Sequence, residues 1–335
     1  DDGPERRYRN WLRVLRGATR IAVGTRSAVF APMPDLAAIC VWNEWEDSLH
    51  DPQAPYWNVR DVAVLRSAAQ ECALVLAGPA ISCEAAALQP WAVHVQRATA
   101  DLRERMPIVR AATGQRIPSP ALQALRRGLS GGPVLVMVAR AGYQPRLSCD
   151  TCRELASCQT CGGPLIRTGR SSDPSCAHCA VVAAAWSCSW CTGTRLRAPS
   201  PGSERTAEEL GRAFPGVPVR SSSGAQIVRT IDSRPAIVVA TPGAIPIAAG
   251  GYAAAVVLDG DMMLARPDLR ATEDAFARWS EAVSVVRPGG EVVIAATPEH
   301  PAVQALIRHD PYGLAQRELE ARTEVQLPPA YRVVA

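Results

Sequence analysis

Cys149-Asp150-Thr151-Cys152, Cys158-Gln159-Thr160-Cys161, Cys176-Ala177-His178-Cys179 and Cys188-Ser189-Trp190-Cys191 set four Cys-x-x-Cys pairs in one 43-residue stretch of a chain with eleven cysteines in all. Such a turn presents two thiolates to one ion, and a tetrahedral structural zinc site takes two turns. Four pairs therefore fill two closed sites, which predicts two Zn2+ per chain held by Cys149, Cys152, Cys158, Cys161, Cys176, Cys179, Cys188 and Cys191. Disulfides suit small secreted domains, whereas this is a large chain without an apolar secretory segment. Iron–sulfur clusters also take four thiolates, but from less regular runs. His178 reads as a bystander, because eight thiolates already complete both sites.

Loop length bears on which pairs share an ion. Fourteen residues separate Cys161 from Cys176, close to the spacing at which a hairpin brings two knuckles face to face, and only five separate Cys152 from Cys158. A nested order is favoured: Cys158, Cys161, Cys176 and Cys179 inside, with Cys149, Cys152, Cys188 and Cys191 outside. Sequential and interleaved pairings stay open.

Outward from the array, the chain reads as alternating strands and helices. An apolar strand over 133–139 precedes the cysteines, and a Pro/Gly/Ser run over 198–203 follows them. Helices are then expected over 204–214, 271–286 and 302–307, and strands over 236–240, 254–258 and 291–296. Before the array, strands are expected over 20–24, 36–41 and 72–76, with amphipathic helices over 8–16 and 58–70. This alternation is the mark of βαβ units around a parallel sheet. Residues 96–132, proline-bearing with a helix over 118–127, read as a connection. The cysteine array is thus an insertion in a second α/β lobe.

Composition sets the bounds. With 335 residues, 47% apolar and 20% charged, the chain has room for two or three globular domains. Its apolar runs are strand-sized, well short of the ~20 residues of a bilayer span. All 36 basic residues are arginine, consistent with the codon bias of a GC-rich genome, so no Gly-x-x-x-x-Gly-Lys phosphate loop can exist in this chain. Net charge is only +4, yet seven Arg between 140 and 197 face Asp150, Glu154 and Asp173, and seven Arg in residues 1–30 face three acids. Such basic regions can meet phosphate or neutralise dianionic four-thiolate zinc sites. Trp186 and Trp190 read as packing the ribbon in preference to stacking on unpaired bases. Cys40, Cys72 and Cys83 read as buried small hydrophobes, and Asp259 with Asp261 as turn caps in preference to a cation site. The chain opens on Asp1 without an initiator Met and stops within a strand pattern at Val333-Val334-Ala335, as a piece of a longer protein would.

Residues 23–32 (Val-Gly-Thr-Arg-Ser-Ala-Val-Phe-Ala-Pro), Arg60-Asp61-Val62-Ala63-Val64, the four cysteine pairs, residues 201–210 and the late Leu327-Pro328-Pro329-Ala330-Tyr331 stand in the order seen in the PriA family of primosomal replication-restart helicases. The chain resembles that family over nearly its whole length, and most specifically in the cysteine array. The resemblance implies two RecA-like helicase lobes, the first incomplete, with an inserted cysteine-rich double zinc-binding module. On that basis residues 1–97 are the C-terminal part of a first lobe and 98–132 a connection. Residues 133–147 and 198–322 form a second lobe, 148–197 the zinc-binding insertion and 323–335 the start of a C-terminal domain.

The family's superfamily 2 motor carries a D-E-x-H-like segment whose acids hold Mg2+ and activate water. Anchored on Arg60-Asp61, the matching window is residues 41–47, where Trp42 and Asn43 stand in place of those acids. A shift of one or two residues brings in Glu44 or Glu46, but no register restores both. The Ser-Ala-Thr coupling motif is replaced by Gly78-Pro79-Ala80, the arginine-finger motif leaves a lone Arg287, and the preceding Lys-Gly motif reads as residues 246–251. Trp42 and Trp45 are expected to fill the vacated nucleotide cleft.

The pattern resembles divergent actinobacterial members lacking intact helicase motifs, with no catalytic or nucleotide-binding residue expected. It implies a cytoplasmic, nucleoid-associated replication-restart protein. Its expected partners are forked or single-stranded DNA, primosome and helicase-loading proteins and single-stranded DNA-binding protein, and no membrane. Nucleic-acid contacts are expected at Arg146, Arg167, Arg170 and Arg197. Two alternatives stand beside this: an active ATP-dependent 3'-5' helicase whose phosphate loop lies upstream of Asp1, and a zinc-ribbon adaptor acting on protein alone.

Overall fold

The computed structural model describes residues 3–96, 101, 104–139, 147–152, 154–167, 173–197, 203–224, 226–266 and 268–331. They fall into two compact units, residues 1–94 with 311–335, and residues 95–310. In the first, helix α1 (Pro4–Leu15) begins on a proline, whose fixed φ suits the first helical position. A βαβ unit follows: β1 (Ala38–Trp42), α2 (Val59–Gln70) and β2 (Ala73–Ala77). The strands run parallel, from Ala38 opposite Ala73 to Trp42 opposite Ala77. Asn58 caps α2 by accepting from the Arg60 N–H, and Val29, Val41, Val59 and Ala63 form the core. The short helix α3 (Cys83–Ala86) is capped by Ser82.

The second unit opens with β3 (Ile108–Ala112), α4 (Ser119–Leu129) and β4 (Val134–Met137). Four two-residue strands follow in the cysteine-rich insertion: β5 (Ser148–Cys149), β6 (Leu165–Ile166), β7 (Ser175–Cys176) and β8 (Leu196–Arg197). Beyond them come α5 (Ser203–Ala213), β9 (Val219–Ser222), β10 (Thr230–Ile231), β11 (Ile237–Ala240), β12 (Ile247–Ala248) and β13 (Tyr252–Val257). The unit ends with α6 (Gly260–Leu264), α7 (Ala271–Ser284), β14 (Val286–Ala295) and α8 (Pro301–Arg308). Helix α9 (Pro311–Glu324) returns to the first unit, where the Cys83 thiol lies 3.7 Å from the Ala315 carbonyl.

Six strands of the second unit make one parallel sheet in the order β3-β14-β13-β4-β11-β9. Every residue of β4, β11 and β13 is buried, as in parallel sheets whose two faces are both covered. Helix α4 seats Ala121, Ala124 and Leu125 in that core, and it crosses the sheet at a glycine. A Cβ on Gly128 would fall 2.6 Å from Val134 Cγ1 and 2.8 Å from the Ala254 methyl, so the close approach requires Gly there. The segment read in sequence as a connection therefore supplies an edge strand and a core helix of this sheet.

Residues 20–24 are not a strand. Ile21 is 76% and Val23 93% exposed, and among the described residues no neighbouring strand takes up their backbone groups. An apolar run becomes a strand only when a ladder partner satisfies its N–H and C=O groups. No helix among the described residues is long and apolar enough to cross a membrane.

Candidate metal centres and the Glu44 network

The insertion is held by two antiparallel pairings, one within the other. Outside, β5 pairs with β8 through Ser148–Arg197 and Cys149–Leu196; inside, β6 pairs with β7 through Leu165–Cys176 and Ile166–Ser175. The sulfurs gather accordingly into two quartets, Cys149/Cys152/Cys188/Cys191 and Cys158/Cys161/Cys176/Cys179, with all ligand atoms of each within 4.8 Å of one another. This is the nested order. Sulfur–sulfur distances are 3.5 Å for Cys149–Cys191, 3.6 Å for Cys152–Cys188, 3.8 Å for Cys158–Cys179 and 3.4 Å for Cys161–Cys176. A tetrahedral ion with metal–sulfur bonds of ~2.3 Å sets its sulfurs about 3.8 Å apart. All eight cysteines are free thiols, and each quartet could hold one metal ion. His178 belongs to neither quartet.

Three of the four knuckles aim backbone amides at their first sulfur. Thr160 N–H points at Cys158 Sγ at 3.4 Å, and His178 and Cys179 N–H at Cys176 Sγ at 3.3 and 3.5 Å. The Cys152 amide is the chief reason that the Cys149 thiol is lowered to about 6, and the Cys161 amide does the same for Cys158, also lowered to about 6. Hydrogen bonds to the charged form favour thiolate, the form that binds metal. A depressed pKa gives an advantage that is present above it and lost as pH falls through it. The second cysteine of each of these knuckles, Cys152 and Cys161, is pushed the other way, to about 12, by burial and the neighbouring thiols, so metal binding must displace protons from the set and acidification should release the metal, which a chromogenic chelator can follow.

Two glycines that the cysteine pattern does not flag are required by this geometry. A Cβ on Gly163 would lie 2.7 Å from His178 Nδ1 and 3.0 Å from Cys176 Sγ; one on Gly193 would lie 2.8 Å from Thr151 Oγ1 and 3.3 Å from Cys149 Sγ. Both stand two places after the second cysteine of a knuckle. The residue between turns left-handed, with φ of 72° at Gly162 and 57° at Thr192.

The two insertion tryptophans part company. Trp186 is buried, donates its Nε1–H to the Ser157 carbonyl at 3.0 Å and packs with Leu147, Ala156 and Leu165. Trp190, between Cys188 and Cys191, is 81% exposed, contrary to the packing expected of it. Of the four arginines expected to meet nucleic acid, Arg167 follows β6 and Arg197 closes β8, both half-buried, while Arg146 and Arg170 lie outside the described residues. Arg195 is taken up by Asp150 at 3.6 Å.

In the first unit, Glu44 sits in a buried polar cluster. Arg60 Nη1 donates to its Oε2 at 2.9 Å, Ser82 N–H to its Oε1 at 2.8 Å, and Ser82 Oγ–H to Oε2 at 2.8 Å. The Glu44 and Arg60 side chains are 3% and 7% exposed. The carboxylate thereby ties the exit of β1 to the first turn of α2 and the N-terminus of α3. Trp45 is buried beside it, but Trp42 is 69% exposed and does not fill a cleft. Cys40 is exposed too, on a side of β1 that the described residues leave uncovered at Ala38 and Trp42 as well, whereas Cys72 and Cys83 are buried as expected. In the second unit Arg287 donates to the Gly131 carbonyl, Asp259 meets Arg116 at 3.3 Å, and Asp261 accepts from the Thr297 N–H.

No family model matches the chain. Among individual proteins, it is 47% identical to the "Probable replication restart protein PriA" of Mycobacterium tuberculosis over 99% of its own length and 54% of that protein's. The Mycobacterium leprae protein of the same description is 46% identical over 98% of the chain and 54% of the relative. The "Replication restart protein PriA" of Bacillus subtilis is 23% identical over 97% of the chain and 44% of the relative. The chain spans about half the length of these curated relatives, and along nearly all of its own length it resembles the replication restart protein PriA of mycobacteria.

Proposed function

We propose that this chain is the zinc-bearing part of a replication-restart protein that binds branched DNA and helps reload the replicative helicase without acting as a motor. In this reading the two units are RecA-like lobes, the first incomplete, and the insertion is a double zinc module. The observation that carries it is the similarity along 99% of the chain to proteins described as replication restart proteins, with both cysteine quartets assembled. Two thiolate sites of this kind supply folding free energy to a segment too short for its own core. The buried engagement of Glu44 with Arg60 and Ser82 supports a non-motor role, since hydrolysis needs a carboxylate facing water.

Partners of this reading are forked or single-stranded DNA, helicase-loading proteins and single-stranded DNA-binding protein, in the bacterial cytoplasm. The test is ATP turnover by the full-length protein with and without forked DNA, beside fork binding. Binding without turnover is expected; loss of an arginine finger alone costs ~10³–10⁵ in rate where one is used. DNA-stimulated hydrolysis would revive the helicase reading, and no DNA affinity at low salt would favour the protein adaptor.

Binding should be indifferent to base sequence and steeply salt-dependent, because arginines that meet phosphate release counterions, with a slope near −0.7 per phosphate on single strands. Replacing Arg167 and Arg170 by Ala should weaken fork binding and flatten that slope while leaving zinc content unchanged. An unaltered slope would remove both residues from the DNA surface.

A further inference from the structure

We propose that the inner cysteine quartet is a peroxide-reactive site, at which Cys161 and Cys179 join in a disulfide and release the ion held there while the outer quartet keeps its own. The two quartets differ in what they show to solvent. In the inner one Cys161 and Cys179 are both exposed and their sulfurs lie 3.4 Å apart across the two knuckles, while Cys158 and Cys176 are buried. In the outer one Cys149 and Cys188 are buried and Cys152 and Cys191 only partly exposed. Its close sulfur pairs, Cys149–Cys191 and Cys152–Cys188, each set a partly exposed cysteine against a buried one. Oxidation of cysteine follows thiolate character and access. Bound ions keep the sulfurs of both quartets deprotonated, so access decides between them, and it singles out Cys161 and Cys179.

One of these exposed thiolates attacks a peroxide oxygen; the O–O bond breaks, hydroxide leaves and the sulfur becomes a sulfenic acid. The other thiolate then attacks that sulfur, the S–O bond breaks, and a second hydroxide leaves as the S–S bond forms. In all, two thiolates give up two electrons and one hydrogen peroxide is reduced to two hydroxides. Cys176 is equally near Cys161, at 3.4 Å, but its sulfur is buried and takes up the His178 and Cys179 amides, which holds it back from the second step. Cys158 and Cys176 alone are half of the ligands that a closed tetrahedral site needs, so the ion is released. The new bond joins the same two knuckles that flank the β6–β7 pairing, so a covalent link takes the place of the coordinate one. The site depends on metal in the quartets and on nothing in the replication-restart reading.

The test uses the full chain carrying zinc, treated with hydrogen peroxide at neutral pH beside a chromogenic chelator, then alkylated under denaturing conditions and mapped by peptide mass spectrometry. One zinc per chain should leave about tenfold or more faster than the other, with Cys161–Cys179 as the first disulfide and the outer cysteines still open to alkylation. Dithiothreitol with added zinc should restore the second ion. Cys179→His keeps a four-ligand site, since three cysteines and a histidine hold zinc, but cannot form the bond; it should bind both ions and lose the fast phase. Loss of both ions at one rate, a first disulfide elsewhere, or a fast phase that persists in Cys179→His with both ions bound would overturn the proposal. If that variant binds only one ion, the disulfide map of the unaltered chain decides alone. A chain that binds no zinc removes the proposal and the metal assignment together, whereas a chain with both ions that resists peroxide removes only the proposal.

Discussion

Stripping metal from this protein is expected to unfold the insertion and spare the six-stranded sheet. Apart from its cysteines, the buried apolar residues among the described part of the insertion are Leu147, Ala156, Leu165, Ile166 and Trp186, and its strands are two residues long. Structural zinc in small peptides contributes an apparent ~10–16 kcal/mol at neutral pH, more than such a core could replace. Elemental analysis should find two zinc ions per chain. A strong chelator should release both, abolish the near-ultraviolet signal of Trp186 and open residues 147–197 to protease, with little loss of far-ultraviolet ellipticity. Cys158→Ala with Cys176→Ala removes two thiolates from one quartet and should release one ion while the outer site stays filled. One ion or none in the unaltered protein, or an insertion that stays protease-resistant without metal, would contradict this assignment.

What the sequence disclosed, and what it hid, follow the physics of each element. The cysteine spacing favoured the nested quartets without excluding other pairings, because fourteen residues suit a hairpin with two facing knuckles and five are short for one. The buried strands β4, β11 and β13 were legible as continuous apolar runs, the composition that two covered faces demand. Within the six-stranded sheet, the two strands that sequence reading passed over, β3 and β9, are its two edges. Their residues, Ile108-Val109-Arg110-Ala111-Ala112 and Val219-Arg220-Ser221-Ser222, mix polar with apolar because an edge is only half covered. Residues 20–24 erred the other way, apolar enough for a strand but lacking a ladder. Glu44 was visible as an acid near the expected motor segment, whereas its partners lie 16 and 38 positions away and no local pattern joins them. Gly163 and Gly193 were hidden because their role is to leave room beside a sulfur, a constraint that only the folded knuckle imposes.

Replacing Glu44 by Ala should cost this protein about 3–5 kcal/mol of stability, the range for breaking one side of a buried ion pair. The loss leaves the Arg60 guanidinium, whose side chain is 7% exposed, without its principal carboxylate, and strips Ser82 of an acceptor for both its N–H and its hydroxyl. Glu44→Gln keeps an oxygen for Ser82 but not the charge, so it should fall between Ala and the parent. In the double variant Glu44→Met/Arg60→Met neither member of the buried pair is left without the other, although Glu84, 3.9 Å from Arg60, loses that neighbour, and the damage should be less than the sum of the single losses. For a unit of about 100 residues each kcal/mol moves the melting temperature by about 4–8 °C, so the single Ala variant is readable by calorimetry. The same variants decide whether this acid has kept any part in hydrolysis. If Glu44→Gln left the melting temperature unchanged but abolished a DNA-stimulated ATP turnover in the full-length protein, the carboxylate would be a catalytic one and the non-motor reading would fall. A large loss of stability with no turnover to lose is the expected result, because an acid that takes hydrogen bonds from Arg60 and Ser82 inside the fold is committed to holding β1, α2 and α3 together.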